Sequence, residues 1–202
     1  MIDIWNGAGD IQAVCFPPHL YYPLMVLNEK FDEERFPVKM QPLVLQEKSE
    51  QRFITDLQEA AQKDQLAEWT GGRDLYLLRN ADNKRNGLGF ALAGNFYPDF
   101  LLWLVDKESG QQWLSLIDPK GIRQMDLGDP KFGLADEVKR LQRELKLDIC
   151  LNSFILSVTA RRDLLNVADW SDGNFREKHI LFMDDDYLPE MFAMILAEGG
   201  IV

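Results

Sequence analysis

Cysteine and histidine are both scarce in this chain of 202 residues, with two of each. Cys15 and Cys150 cannot build a disulfide framework or a cysteine zinc site, and such usage fits a reducing, cytoplasmic compartment. With His19 and His179 alone, a histidine-rich metal centre or a serine-type triad lacks its usual material, so both are read as structural. No G-x-x-x-x-G-K-S/T loop occurs, which argues against ATP hydrolysis by this chain. No apolar stretch approaches the length of a membrane span and no signal-peptide pattern opens the sequence, so no membrane association is expected. Positive charge is also in short supply: 22 Lys and Arg stand against 33 Asp and Glu, a formal net charge of −11.

That deficit is uneven. Residues 1–70 carry a net −6, residues 71–162 a net +2 and residues 163–202 a net −7. The acidity sits at the ends, while the middle is slightly basic. Anionic ends disfavour tight unaided binding to phosphate polymers. What the chain does have is apolar substance, 46 % of residues with 11 % aromatic, enough for one globular domain with attachments.

Residues 1–48 are expected to form an irregular arm or lead-in, because Pro17-Pro18, Pro23, Pro37 and Pro42 interrupt its apolar runs, with an edge strand between Val38 and Leu45. Residues 49–202 read as the domain proper. Ser49 is the expected N-cap of a helix whose stripe is Glu50, Phe53, Ile54, Leu57, Ala60 and Ala61. Asp74 to Arg79 reads as a strand, Asn80 to Gly87 as a loop, and Leu88 to Leu92 as a short strand. Phe100 to Val105 and Trp113 to Ile117 are apolar runs joined by turn-forming Glu108-Ser109-Gly110, and so form a hairpin. Gly121 to Gly133 is a loop, and Leu134, Val138, Leu141 and Leu145 mark an amphipathic helix. Ser153 to Thr159 is a strand, Asp163 to Lys178 a polar, turn-rich stretch, His179 to Met183 a last strand and Leu188 to Ala197 a last helix. The sum is an α/β fold, a mixed sheet flanked by helices with the core order α-β-β-β-α-β.

The hairpin carries the chemistry. Asp99 opens its first strand, and Asp118 and Lys120 close its second, so pairing brings all three to one end. Side chains at Asp118 and Lys120 share a strand face because they stand two residues apart. Two carboxylates with an ammonium are the means of holding a divalent cation and hydrolysing a phosphodiester. Glu50, on the helix stripe that should face the sheet, is a candidate third acid. Arg79, Lys84, Arg85 and Arg123 are candidates for contacting DNA phosphates, with Arg161 and Arg162 beside them. Asp184-Asp185-Asp186 reads as a cap for the last helix.

Pro98-Asp99, then 18 residues, then Asp118-x-Lys120 resembles the PD-(D/E)XK nuclease motif. Four blocks narrow the resemblance: Leu77-Leu78-Arg79-Asn80, Asn95-Phe96-Tyr97-Pro98-Asp99-Phe100, Ile117-Asp118-Pro119-Lys120-Gly121 and Leu151-Asn152-Ser153-Phe154-Ile155-Leu156-Ser157. Together they look like the C-terminal nuclease domain of bacterial DEAD/DEAH-box helicases related to the restriction subunit of type III systems, over about residues 20–197. The resemblance implies a restriction-endonuclease-like fold and a Mg²⁺-dependent DNA endonuclease (Mn²⁺ substituting) of a restriction or phage-defence system. It implies Asp99, Asp118 and Glu50 as metal ligands with the carbonyl of Pro119, and Lys120 as the catalytic lysine. Double-stranded DNA and a helicase/ATPase module, in cis or in trans, are the implied partners. The second acid is Asp where Glu is commoner, and Pro119, which cannot donate to a ladder, points to a bulge or a strand end.

Two other readings use the same residues differently. One is a nuclease-like fold kept as a non-catalytic DNA-binding module. The other is a protein-interaction module, suggested by the acidic ends and by Trp5, Phe16, Tyr21 and Tyr22.

Overall fold

The sheet is organised by two strands that are apolar on both faces. In the computed structural model, which describes residues 11–14, 19–20, 24–27, 44–45, 47–80, 96–126, 128–167, 169–184 and 186–198, the elements follow in this order: β1 (Ile11–Val14), β2 (His19–Leu20), β3 (Leu24–Leu27), β4 (Val44–Leu45), α1 (Lys48–Gln62), α2 (Gln65–Trp69), β5 (Asp74–Arg79), β6 (Phe100–Val105), β7 (Gln112–Lys120), α3 (Leu134–Glu144), β8 (Cys150–Ser157), α4 (Asp172–Glu177), β9 (Ile180–Phe182) and α5 (Tyr187–Ala197). The main sheet runs β2-β5-β6-β7-β8-β9. The pairs β5–β6 and β6–β7 are antiparallel, and β7–β8 and β8–β9 are parallel. Parallel neighbours need a crossover, and α3 supplies it between β7 and β8. The chain is thus α/β, a mixed sheet flanked by helices whose α1-β5-β6-β7-α3-β8 core has the order expected of a restriction-endonuclease-like fold.

Alternation divides the core. Leu102, Leu104, Trp113, Ile117 and Phe154 face α1 and α5, packing with Phe53, Leu57, Met191 and Phe192. Leu101, Leu114, Leu116 and Leu151 face the other way and meet Leu134 and Val138 of α3. Both faces of the central strands are covered, as expected where parallel strands carry helices on their faces. A third cluster, with Ile122, Phe132, Ile155, Phe175 and Phe182, closes the β9 side.

Several local expectations change. The N-terminal stretch expected to be irregular contains β1, β3 and β4, which make a small sheet of their own, while β2 pairs with β5 at the edge of the main sheet. The helix begins at Lys48 with Glu47 at its N-cap and no side-chain cap, so Ser49 lies inside the first turn. Strand β8 starts at Cys150, three residues before the apolar run, because Leu151 and Asn152 continue the ladder opposite Leu114 and Ser115. The turn-rich stretch after Asp163 holds α4, a helix not expected there, started by a capping box between Ser171 and Asn174. At α5, Asp186 is the N-cap but makes no side-chain cap bond. The expected strand at Leu88 to Leu92 lies outside the described residues. Among the described residues, no helix is long and apolar enough to cross a membrane.

Pro119 causes no bulge. The β7–β8 register runs unbroken from Trp113↔Cys150 to Lys120↔Ser157. The N–H of Val158 donates to the carbonyl of Lys120 at 3.0 Å, so backbone groups at Lys120 point toward β8. Successive strand residues alternate, so those of Pro119 point to the β6 side, beyond the last β6 pair at Phe100↔Ile117. A missing N–H there removes no ladder bond.

Candidate active site

Strand register builds the site. Phe100 pairs with Ile117, and on the outer side of β6 Arg79 pairs with Phe100. One step further, Asp99 comes level with Asp118. Asn80 holds that approach: its backbone N–H donates to the carbonyl of Asp99 at 2.7 Å, and its side-chain amide donates to the carbonyl of Pro98 at 2.9 Å. The first turn of α1 adds Glu50, which shares the buried stripe of Phe53, Ile54 and Leu57 and is itself 6 % exposed. Four elements therefore deliver side chains to one end of the β6–β7 hairpin.

Their charges interlock. Glu50 and Arg79 form an ion pair of 2.7 Å with both side chains largely buried. Lys120 Nζ stands 2.9 Å from Asp118 Oδ2. Asp99 and Asp118 stand close enough that each carboxyl acts on the other's ionisation. Burial first, and then the charges of Asp118 and Glu50, push Asp99 up to about 8. Burial also acts to raise Asp118, but the ammoniums of Lys120 and Lys131 outweigh it and hold Asp118 below the ordinary carboxylate range. Lys120 is lowered, by burial above all, against the pull of Asp118.

The sequence-derived candidates divide by placement. Asp99, Asp118, Lys120 and Glu50 come together. Arg79 does too, although its charge is engaged with Glu50 inside the cluster and does not line an outer DNA-facing surface. Arg123 is exposed on the loop that leaves β7, three residues beyond Lys120. Arg161 is tied into the β9 side by Asp172, the carbonyl of Trp170 and the ring of Phe175. Arg162 is exposed. Lys84 and Arg85, with the aromatics Trp5, Phe16, Tyr21 and Tyr22, lie outside the described residues. His179 is structural, its Nδ1 3.1 Å from the carbonyl of Ser153 and its ring stacked on Phe154. Asp184 and Asp186 line a separate cavity of about 550 Å³ with Arg52, Asp56 and Tyr187.

One residue of the cluster is absent from the motif. Lys131, on a 3-10 turn over Pro130–Gly133, brings its Nζ to 3.3 Å from Asp118 Oδ2. That turn is started by Asp129, whose Oδ1 accepts from the N–H of Lys131 at 2.9 Å. The Asp-Pro pair is visible in the sequence as a helix start, but nothing in the spacing links Lys131 to Asp118.

A divalent cation suits this donor set. Asp99 and Asp118 oppose each other's ionisation, and a cation between them would relieve that repulsion. Mg²⁺ is commonly held by one or two carboxylates with several waters, so two suffice. Among the described residues, no group of three or more His, Cys, Asp or Glu side chains is arranged as a metal cage. No family model, no curated protein and no solved structure matches the chain.

Proposed function

We propose that the chain is a Mg²⁺-dependent DNA endonuclease, hydrolysing phosphodiester bonds at the Asp99–Asp118–Lys120 cluster. The observation that carries this reading is the pair of aspartates that the β6–β7 register brings level at one strand end, with an ammonium 2.9 Å from one of them. Neighbouring buried carboxyls are costly for stability, and groups with strongly shifted ionisation cluster at functional sites. Asp99 and Asp118 hold the cation, with the Pro119 carbonyl, which points to the β6 side, as a further oxygen donor. When bound, Mg²⁺ supplies charge stabilisation at the phosphoryl oxygens and a water of lowered pKa. Lys120 donates a hydrogen bond from its ammonium to the attacking water or to a phosphoryl oxygen on which negative charge develops. Arg79 neutralises Glu50 and keeps that acid oriented toward Asp99.

Acidic chain ends and a nearly neutral middle support weak DNA affinity for the isolated chain. The reading therefore includes a helicase/ATPase partner, in cis or in trans, that holds the duplex during restriction or phage defence. Weak binding means roughly micromolar or poorer at physiological salt.

The test is cleavage of supercoiled plasmid with Mg²⁺ or Mn²⁺, with and without a helicase encoded beside this chain. Wild type should nick or linearise the plasmid, and Asp99→Ala and Lys120→Ala should not. Cleavage by Asp99→Ala at the wild-type rate overturns the assignment. A second reading, a non-catalytic module on the same fold, is favoured by the net charge of −11, which opposes a polyanionic substrate. Calorimetric titration with Mg²⁺ separates the two: heat that disappears in Asp118→Ala supports the nuclease, and equal heats in both proteins support the non-catalytic module.

A further inference from the structure

We propose that Lys131 is a second phosphate-binding cation of this site, contacting a non-bridging oxygen of the DNA backbone beside the bond that Lys120 serves. The inference rests on the nuclease reading above and extends it to a residue that the motif does not contain.

Two ammoniums face the single negative charge of Asp118. Lys120 and Lys131 converge on the same carboxylate oxygen, at 2.9 and 3.3 Å, and the two ammoniums are within hydrogen-bonding reach of each other. Glu50 has its own counter-charge in Arg79, at 2.7 Å. Two like charges crowded onto one oxygen repel each other and retain attraction for a further anion. The next anion to reach this end of the hairpin, on the reading above, is a phosphodiester.

The two lysines differ in reach. Lys120 is rooted in the sheet and 20 % exposed, while Lys131 comes from a separate turn and is 34 % exposed. Lys131 is therefore on the solvent side, where a duplex arrives. Its position is also built: the ammonium lies over the ring of Phe96, 5.3 Å from the centroid, and its backbone is capped by Asp129. A cation held over an aromatic face with its head toward solvent is preorganised for a phosphate and loses little side-chain entropy on binding. The structural alternative is that Lys131 only neutralises Asp118.

Fluorescence anisotropy with a labelled duplex distinguishes the roles, using saturating Ca²⁺ to occupy the site without cleavage and a series of salt concentrations. Removing one phosphate-binding cation should reduce the slope of log K against log salt by about 1. Lys131→Ala should show that reduction, Lys131→Arg should not, and Lys107→Ala, at the far end of the hairpin, should match wild type. Thermal melts should show all three variants folded. A slope for Lys131→Ala equal to wild type overturns the proposal. So does a change confined to the Ca²⁺ midpoint, which would make Lys131 a support for Asp118 alone. Wild-type affinity for duplex that is no greater with Ca²⁺ than in EDTA removes the nuclease reading and this inference together, an outcome distinct from a defect specific to Lys131.

Discussion

At the turn of the β6–β7 hairpin, Asp106 accepts from the backbone N–H groups of Glu108 and Ser109 at 3.0 and 3.1 Å. These bonds, with Arg73 nearby, hold its carboxyl below the ordinary range. Beside it, Lys107 pairs with Asp74 at 2.8 Å with 74 % of the lysine side chain in solvent. At the open end of the same hairpin stand two more aspartates and two more lysines, and there Asp99 is pushed up while Asp118 is held down. Both ends gather aspartates and basic side chains. What differs is the covering: α1, the Pro98 segment and the Pro130–Gly133 turn exclude water from one end only. Burial makes each unmatched charge expensive and raises both acids, and the two ammoniums beside Asp118 alone bring it back down.

The largest effect should come from testing the two ends by cleavage. Asp118→Ala should lower plasmid cutting by more than about 100-fold, since it removes a cation ligand and the partner of two lysines. Asp106→Ala should leave cutting at the wild-type rate. Equal losses from both substitutions would show that the hairpin matters only as scaffold, and the contrast between its ends would carry no chemistry.

Next comes stability. Arg79→Ala strands Glu50, 7 % exposed, without its counter-charge. Breaking a buried pair by removing one partner costs about 3–5 kcal/mol. At the turn end, Arg73 pairs with Asp106 at 3.5 Å with about a quarter of each side chain exposed, and its guanidinium lies over Trp113. Arg73→Ala should cost less, about 1–2 kcal/mol, mostly through lost packing on that ring. Urea denaturation of both variants measures the difference, and Glu50→Gln combined with Arg79→Ala should recover part of the first loss.

A smaller effect follows from the raised Asp99. The folded chain binds a proton there that the unfolded chain has released above about pH 4. Stability contributed by that proton is full below pH 4, declines as pH rises, and is gone above the folded value of about 8. Asp99→Asn removes this dependence. In EDTA the variant should gain steadily on wild type between pH 5 and pH 8. Asp118, held low, acts with the opposite sign and only below about pH 4, outside that window. A constant gap between the two proteins from pH 5 to 8 would mean that Asp99 is ionised in the folded chain.

How much of the molecule is readable in its sequence follows the same contrast. Strand β5 has the bounds its sequence suggests, Asp74–Arg79, because polar residues flank a short apolar run. Asp99, Asp118, Lys120 and Glu50 can be brought together on paper, since a hairpin and a helix stripe are local patterns with fixed periods. Lys131 cannot. Its approach to Asp118 depends on how an irregular 13-residue interval folds back over the strand end, and no period governs that path. The helix α4 escapes sequence reading for a similar reason: it has six residues and a single buried apolar side chain, Phe175, so it shows no stripe. The unbroken ladder at Pro119 is legible in principle, once the direction of its missing N–H is worked out from the end of β6.

The smallest effect sharpens the comparison from its quiet end. Lys107 and Asp74 are closer, at 2.8 Å, than Lys131 and Asp118, at 3.3 Å. Distance alone would rank the turn pair as the stronger. Yet the Lys107 side chain is mostly in water, where Coulomb attraction is screened and a flexible lysine loses entropy on being held. Lys107→Ala should therefore change stability little, and the change should vanish in about 1 M NaCl. Lys131→Ala should cost more than Lys107→Ala despite the longer separation, because Asp118 is 8 % exposed and loses one of two cations that keep it ionised. Paired urea titrations at low and high salt measure both. A loss for Lys107→Ala equal to or larger than that for Lys131→Ala would mean that separation between charges, and not exclusion of water, sets the energetics at the two ends of the hairpin.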